Sequence, residues 1–282
     1  MAETVRTYAD LQTRLADNTA GEISPEDVRD LLASTYQLDY SADVSVTGAT
    51  TATIGKWHIC TGTSADYTVT LPAASGNAGK IIGLRMSSAL TKLVTLDGNG
   101  SELIDGATTR VMWANEVAIL FCDGTGWTKI GGKSIPMQAM MLRTSSQTLT
   151  SGGAFDKVLF GTIEVDIGGM ANTANSRFDC KRAGTYNCFG FTYASGVPTG
   201  KYLIYQLQSY NASNVKQDDL RLAQGQSSGG SNVLGVAGGA LVNLSATDYV
   251  QFYTYSDSST PAALSGSVSI QTHGNIIETP SW

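Results

Sequence analysis

Acid–base, nucleophilic or metal chemistry in this chain would have to run through His58, His273, four cysteines and the carboxylates. A catalytic nucleophile needs a base beside it. His58 stands between Trp57 and Ile59 in a strand-like run, where the expected role is a strand side chain with its ring hydrogen-bonded. His273 lies four residues past Ser269, near the end of the sequence, and is expected at the surface. No Gly-x-Ser-x-Gly elbow occurs. Cys60, Cys122, Cys180 and Cys188 have no metal-ligand spacing with either histidine. Cys180 and Cys188 flank one turn and could pair as a disulfide; the alternative is two small apolar core side chains.

Gly126 to Ser134 ends in Gly-Lys-Ser, as a phosphate-binding loop does. Five residues separate Gly126 from Gly132, however, where the motif needs four. The segment reads instead as a hinge. Asp97-Gly98-Asn99-Gly100-Ser101-Glu102 has oxygens for calcium but lacks the Gly at the sixth position and the Glu at the twelfth, so a turn is expected. Asp218-Asp219 is expected to solvate a polar loop. Paired acids for sugar cleavage depend on distance in space, which spacing in sequence does not supply. No catalytic residue, cofactor site or metal site is assigned.

Binding is better represented than catalysis. Tyr193, Tyr202, Tyr205, Tyr210, Tyr249, Tyr253 and Tyr255 gather in the last third of the chain. Cross-strand packing accounts for most of them. The functional alternative is an aromatic surface for sugar or protein, flanked by polar loops at Gly168 to Ser176, Gln224 to Gly230 and Ser256 to Pro261. The residues assigned to receptor contact are Asn172, Asn175, Tyr210, Asn211, Ser228 and Ser258.

Composition narrows the class. Charged residues make up 15% of 282, against ~25% in ordinary soluble domains. Gly, Ser, Thr, Asn and Ala fill the difference, as expected of short strands and tight turns. The net charge of -6, with no Lys/Arg cluster, argues against nucleic acid. No apolar run approaches ~20 residues, so no membrane span is expected. MAETVRTYAD lacks a basic segment followed by an apolar one, so no secretion signal is expected, and reduced thiols are.

The elements that would position these residues fall into segments. Residues 1–37 alone carry a helical period. Leu11 and Leu15 share one face of a short helix. Ser24-Pro25-Glu26-Asp27 starts another, striped by Val28, Leu31 and Leu32. Neither helix can make a core, so these five residues are assigned to attachment on another protein. Residues 38–132 turn to strand character, with Asp-Gly turns at 97, 105 and 123, and suggest a small β-sandwich or a trimeric, intertwined module. Residues 133–139 are read as a hinge. Residues 140–282 alternate strands with polar loops in sandwich fashion.

Within that last segment, Phe160, Asp166, Phe178 and Gly184-Thr185-Tyr186 keep the spacing of the globular head of the complement q-subcomponent family, relatives of the tumour necrosis factor jelly roll. Asp248-Tyr249-Val250 and Leu264-Ser265-Gly266 are similar to its closing strands. The resemblance spans roughly Met140 to Gly274 and departs at Ala171, Cys188 and Gly190, where the family carries aromatics. It implies a trimeric jelly roll with core positions at Phe160, Phe178, Gly184, Tyr186, Val250 and Gly266 and with binding through outer loops. LADNTAGEISPEDVRDLLASTY and the middle segment are similar to pieces of tailed-phage fibre and spike proteins. Together these imply a mainly β homotrimeric virion protein, made in a bacterial cytoplasm. It would contact other virion proteins through its N-terminal segment and a host-surface glycan or protein through its head. Capsid decoration as a head fibre, or a glycan-cleaving tailspike, are the alternatives.

Overall fold

The computed structural model describes residues 43–228, 232–267 and 270–279. Leu11, Leu15, Val28, Leu31 and Leu32, with the helices expected around them, lie outside the described residues. The chain divides into two compact units, Met1–Lys133 and Ser134–Trp282.

The first unit winds rather than folding back on itself. Its strands are β1 (Val44–Val46), β2 (Thr50–Thr51), β3 (Trp57–Cys60), β4 (Tyr67–Thr70), β5 (Ile81–Met86), β6 (Val94–Asp97), β7 (Thr109–Met112), β8 (Val117–Cys122) and β9 (Trp127–Lys133). β1, β3 and β5 pair in parallel in one sheet, and β2, β4 and β6 pair in parallel in the other. The chain therefore alternates between two sheets, and each pair of successive strands, one in each sheet, makes one coil of a short solenoid. β7, β8 and β9 then close it with antiparallel pairings. Val69, Leu71, Ile82, Leu84, Leu96, Leu120 and Trp127 fill the space between the sheets. This replaces the expected small sandwich, because six successive strands cross between sheets instead of pairing as hairpins. The turn at Asp123-Gly124 does close a hairpin, with Asp123 Oδ1 accepting from Thr125 N and Gly126 N at 2.7 and 2.8 Å. The segment read as a hinge is still strand through Lys133, with Gly132 at φ 125° against Val117 O.

His58 is fully buried in this solenoid. Thr53 N donates to its Nε2 at 2.9 Å, and Nδ1 lies 3.3 Å from Gly83 O. The ring is therefore neutral, with its proton on Nδ1, and ties neighbouring coils together. Burial holds its pKa below 6.5.

The second unit comprises β10 (Gln138–Leu142), β11 (Gln147–Thr148), β12 (Phe155–Lys157), β13 (Thr162–Ile167), β14 (Ala171–Asn172), β15 (Arg177–Asp179), β16 (Gly184–Ser195), β17 (Tyr202–Tyr210), β18 (Lys216–Gln226), β19 (Val233–Leu244), β20 (Tyr249–Ser256), β21 (Ala263–Leu264), β22 (Gly266–Ser267), β23 (Ile270–Gln271) and β24 (His273–Thr279). One sheet runs β13-β10-β24-β16-β19, extended at the end of β16 by β21 and β11. The other runs β14-β15-β20-β17-β18, with β12 also on β20. First and last strands sit side by side and the chain crosses between sheets repeatedly, which is the winding of a jelly roll.

Its core is aromatic. Phe160, Phe178 and Phe252 meet edge to face at 5.8–6.2 Å, and Tyr205 stacks on Phe252 at 5.3 Å. Gly190 makes room for Tyr205, since a Cβ there would come within 2.6 Å of the Tyr205 hydroxyl. That hydroxyl donates to His273 O at 2.8 Å. Phe178, Tyr186 and Val250 are fully buried and Phe160 nearly so; Gly184 and Gly266 are half-buried, and Gly266 packs on the Ser145 backbone.

A buried ion pair closes one end. Arg182 Nε and Nη2 donate to Glu278 Oε1 and Oε2 at 2.8 and 2.7 Å. Glu278 Oε2 also accepts from Met137 N, and Arg182 Nη2 donates to Ile135 O. The last strand is thus fastened to the segment that enters the unit. All four cysteines are buried free thiols; burial pushes Cys180 up to about 11 and Cys188 further. Neither is a nucleophile at neutral pH.

Candidate binding face

The outer face of the β20 sheet is where polar and aromatic side chains converge. Tyr249, Gln251, Tyr253 and Tyr255 lie on one side of β20 and Val250, Phe252 and Thr254 on the core side; Tyr249 and Gln251 are themselves largely covered by their neighbours. Ile204, Gln206, Gln208 and Tyr210 take the same outer side along β17. Register sets them in rows across the strands. Asp179, Tyr249, Tyr210 and Lys216 form one row, and Gln251, Gln208 and Asp219 the next. Lys157, Tyr253, Gln206 and Arg221 form the third, and Phe155, Tyr255, Ile204 and Gln224 the fourth.

Tyr210 and Tyr249 stack at 4.9 Å, and the Arg177 guanidinium lies 4.2 Å over the Tyr249 ring. Tyr210 donates to Gln208 Oε1 at 2.6 Å, Tyr253 to Gln251 Oε1 at 3.0 Å, and Tyr249 to Asn214 Oδ1 at 3.1 Å. Desolvation raises the pKa of Tyr249 and Tyr253, so both keep their protons. The charges are matched locally. Arg177 Nε is 2.6 Å from Asp179 Oδ1, though its N–H is not aimed at that oxygen. Lys216 Nζ is 2.7 Å from Asp219 Oδ2, Arg221 Nη1 donates to Gln224 Oε1, and Lys157 Nζ donates to Asn175 O.

Of the residues assigned to receptor contact, four reach one end of this face. Asn172 Nδ2 donates to Asp179 Oδ2 at 2.8 Å, and the Asn175 carbonyl accepts from Gln251 Nε2 at 3.4 Å. Tyr210 is in the stack. Asn211 follows it, its Oδ1 capping Ser213 N and Val215 N. Ser228 and Ser258 lie at the other end, since Leu203 pairs with Ser256 where Tyr210 pairs with Tyr249. The separation is about 24 Å along the strands. Ser258 is 1% exposed and donates to Thr260 O at 2.6 Å, so it is a turn residue rather than a contact.

Other expectations change as well. Asp218 and Asp219 are in β18, not in a loop, and so are Gln224 to Gln226. Tyr205 is core, and Tyr193 belongs to the β16 sheet. His273 is half-buried beside Phe191 rather than free at the surface. The residues missed are Arg177, Asp179, Gln206, Gln208 and Gln251. Their signal is the two-residue spacing of Tyr249-Gln251-Tyr253-Tyr255 and of Gln206-Gln208-Tyr210, which places each set on one side of a strand.

Among the described residues no group of three or more His, Cys, Asp or Glu could hold a metal ion, and no helix is long and apolar enough to cross a membrane.

No protein-family model matches the chain, and no curated protein matches it. Solved structures similar to it include the globular domain of zebrafish complement 1qA protein, with 21% identity, 52% of this chain, 98% of that chain and TM-score 0.36. Murine APRIL is similar at 11% identity, over 51% of this chain and all of that one, with TM-score 0.39. Eiger TNF from S. frugiperda is similar at 9% identity, over 52% and 94%, with TM-score 0.40. The jelly roll itself is established by the strand order.

Proposed function

We propose that the chain is a structural protein of a tailed-bacteriophage virion. It forms a homotrimer, attaches through residues 1–37, and binds a host-surface receptor without cleaving it. The observation that carries this is the asymmetry of the jelly roll's two outer faces. The β20 sheet shows tyrosine, amide and paired charge. The β16 sheet shows Met140, Ile163, Val165, Phe189, Phe191 and Ile277, half-buried or exposed. Asn275 sits among them, with its Oδ1 buried and without a hydrogen-bond partner among the described residues. Apolar faces of this extent mark surfaces that another protein covers, and a closed ring of like subunits covers all of them.

The first unit supports the same reading. Outward on the β3-β5-β8 sheet are the half-buried Trp57, Ile59, Ile81, Val117, Ile119 and Phe121 together with the exposed Arg85, whereas β4 and β6 turn Thr68, Thr70 and Thr95 outward. The phage assignment rests on the resemblance of the N-terminal and middle segments to fibre and spike proteins. Antibody raised against the purified chain tests it by immunogold microscopy of particles. Labelled fibres at the tail support a receptor-binding fibre, labelled capsids make it a decoration protein, and unlabelled particles contradict the assignment.

A further inference from the structure

We infer that Asn275 sets the register of the homotrimer, its side-chain amide being paired by Asn275 of the neighbouring copies around the symmetry axis. This rests on the homotrimer reading above and names the contact at its centre.

The sheet runs β13-β10-β24-β16-β19, so β24 is its middle strand. Register places Val165, Met140, Asn275, Phe189 and Gly239 in one row across it. Gly274 and Ile276 face the core, Gly274 against Phe252 and Phe160, so Asn275 between them faces out. It is nonetheless only 6% exposed, and its Oδ1 is buried without a hydrogen-bond partner among the described residues. Buried amide oxygens in folded proteins are paired as a rule, and each exception needs an explanation.

Charge names the partner. The central row, and the rows on either side through His273 and Ile277, hold no Asp, Glu, Lys or Arg. A face without charge attracts no charged partner and does not repel its own copy. An amide carries both a donor and an acceptor. Like amides therefore satisfy one another: each Nδ2 donates to the next Oδ1, and three of them close a ring about a three-fold axis. The Asn χ2 torsion turns through a broad well, and Met140 beside it is flexible. The amide swings out of its cover as the copies meet.

The amide also does what the apolar side chains cannot. Met140, Phe189 and Ile277 would pack against a second copy at several offsets. One buried polar group that is satisfied at a single offset removes the others, as a lone buried asparagine does in coiled coils.

The test uses the full chain, whose own four thiols are buried. Asn275→Cys, oxidised with copper phenanthroline in air, is expected to give disulfide-linked dimers from about two of every three copies, since a disulfide joins two thiols and leaves the third. Leu241→Cys is the control. Leu241 is 67% exposed on β19, two strands or about 10 Å from β24. Its copies then stand farther apart than the ~7 Å between Cα atoms that a disulfide spans, and they are expected to stay unlinked. Asn275→Asp keeps the shape but loses the donor. At neutral pH it is expected to weigh one monomer mass by light scattering, with its strand signal in circular dichroism unchanged. A trimeric wild type whose Asn275→Cys variant links no more than Leu241→Cys overturns the inference, and so does an Asn275→Asp chain that remains trimeric. A wild-type chain of one monomer mass overturns the homotrimer reading and the inference with it.

Discussion

Tyr210 and Tyr249 lie face to face across β17 and β20, with ring planes 8° apart and centroids 4.9 Å apart. Arg177 covers the Tyr249 ring at 4.2 Å, so a cation and two rings form a ladder over three strands. The contact lies at the end of the candidate face where Asn172, Asn175 and Asn211 gather. An aromatic pair of this kind contributes about 0.5–1.5 kcal/mol beyond its burial. A double-mutant cycle of Tyr210→Leu and Tyr249→Leu, followed by denaturant unfolding, is expected to return a coupling energy in that range. Additive effects would mean that the rings merely coexist.

Phe178→Ala is expected to be among the most damaging substitutions in the second unit. The ring is fully buried and touches both Phe160 and Phe252 edge-on. Removing such a ring costs about 3–5 kcal/mol in lost transfer energy and in the cavity left behind. The melting transition of the second unit should fall by many degrees, and an unchanged transition would refute the assignment of Phe178 to the core.

Glu278→Ala should do comparable damage by another route. It leaves the Arg182 guanidinium, whose side chain is 12% exposed, without its carboxylate, and it takes the acceptor from Met137 N. Breaking one side of a buried pair costs about 3–5 kcal/mol. The double variant Glu278→Leu with Arg182→Met should recover most of that loss in thermal unfolding. Failure to recover would show that the backbone bonds to Met137 and Ile135, rather than the charges, hold this end together.

His58 makes the first unit sensitive to acid. Its pKa is lowered in the fold by burial, below the ordinary 6.5. As the pH falls, the unfolded chain takes up the proton before the folded one does. The stabilisation is therefore complete above about pH 6.5 and declines below it. Trp57, Trp113 and Trp127 report on this unit, so tryptophan-monitored melting between pH 7.5 and 5 should show a falling transition. In His58→Gln the fall should be smaller. A wild-type transition that is flat or rising towards pH 5 would contradict the buried neutral ring.

The sequence was most legible where alternation is strong. β17 and β20 stand out because Leu203-Tyr205-Leu207 and Val250-Phe252-Thr254 bury one parity against polar residues on the other. β18 was not legible. Lys216 to Gln226 has apolar side chains only at Leu220, Leu222 and Ala223, and charges on an outer strand serve solubility rather than a core. The solenoid was missed for a different reason. Alternation reports which side of a strand is buried but not whether the next strand joins the same sheet, and parallel coils and hairpins share that pattern. On the candidate face, the run of tyrosines drew attention to β17 and β20 but did not separate Tyr205 from the others, because its place in the core depends on the space left by Gly190. The glutamines Gln208 and Gln251 went unnoticed because their hydrogen bonds with Tyr210 and Tyr253 depend on how the strands place the side chains.

The apolar face of the β16 sheet is predicted to be a surface between copies of this chain. Light scattering of the full chain at micromolar concentration tests that directly, with Phe189→Asp measured alongside. The wild-type chain is predicted to weigh three monomer masses. Phe189→Asp, which places a charge in the centre of the face, is predicted to weigh one while keeping its strand signal in circular dichroism. A monomeric wild type, or a variant that stays trimeric, would contradict the account.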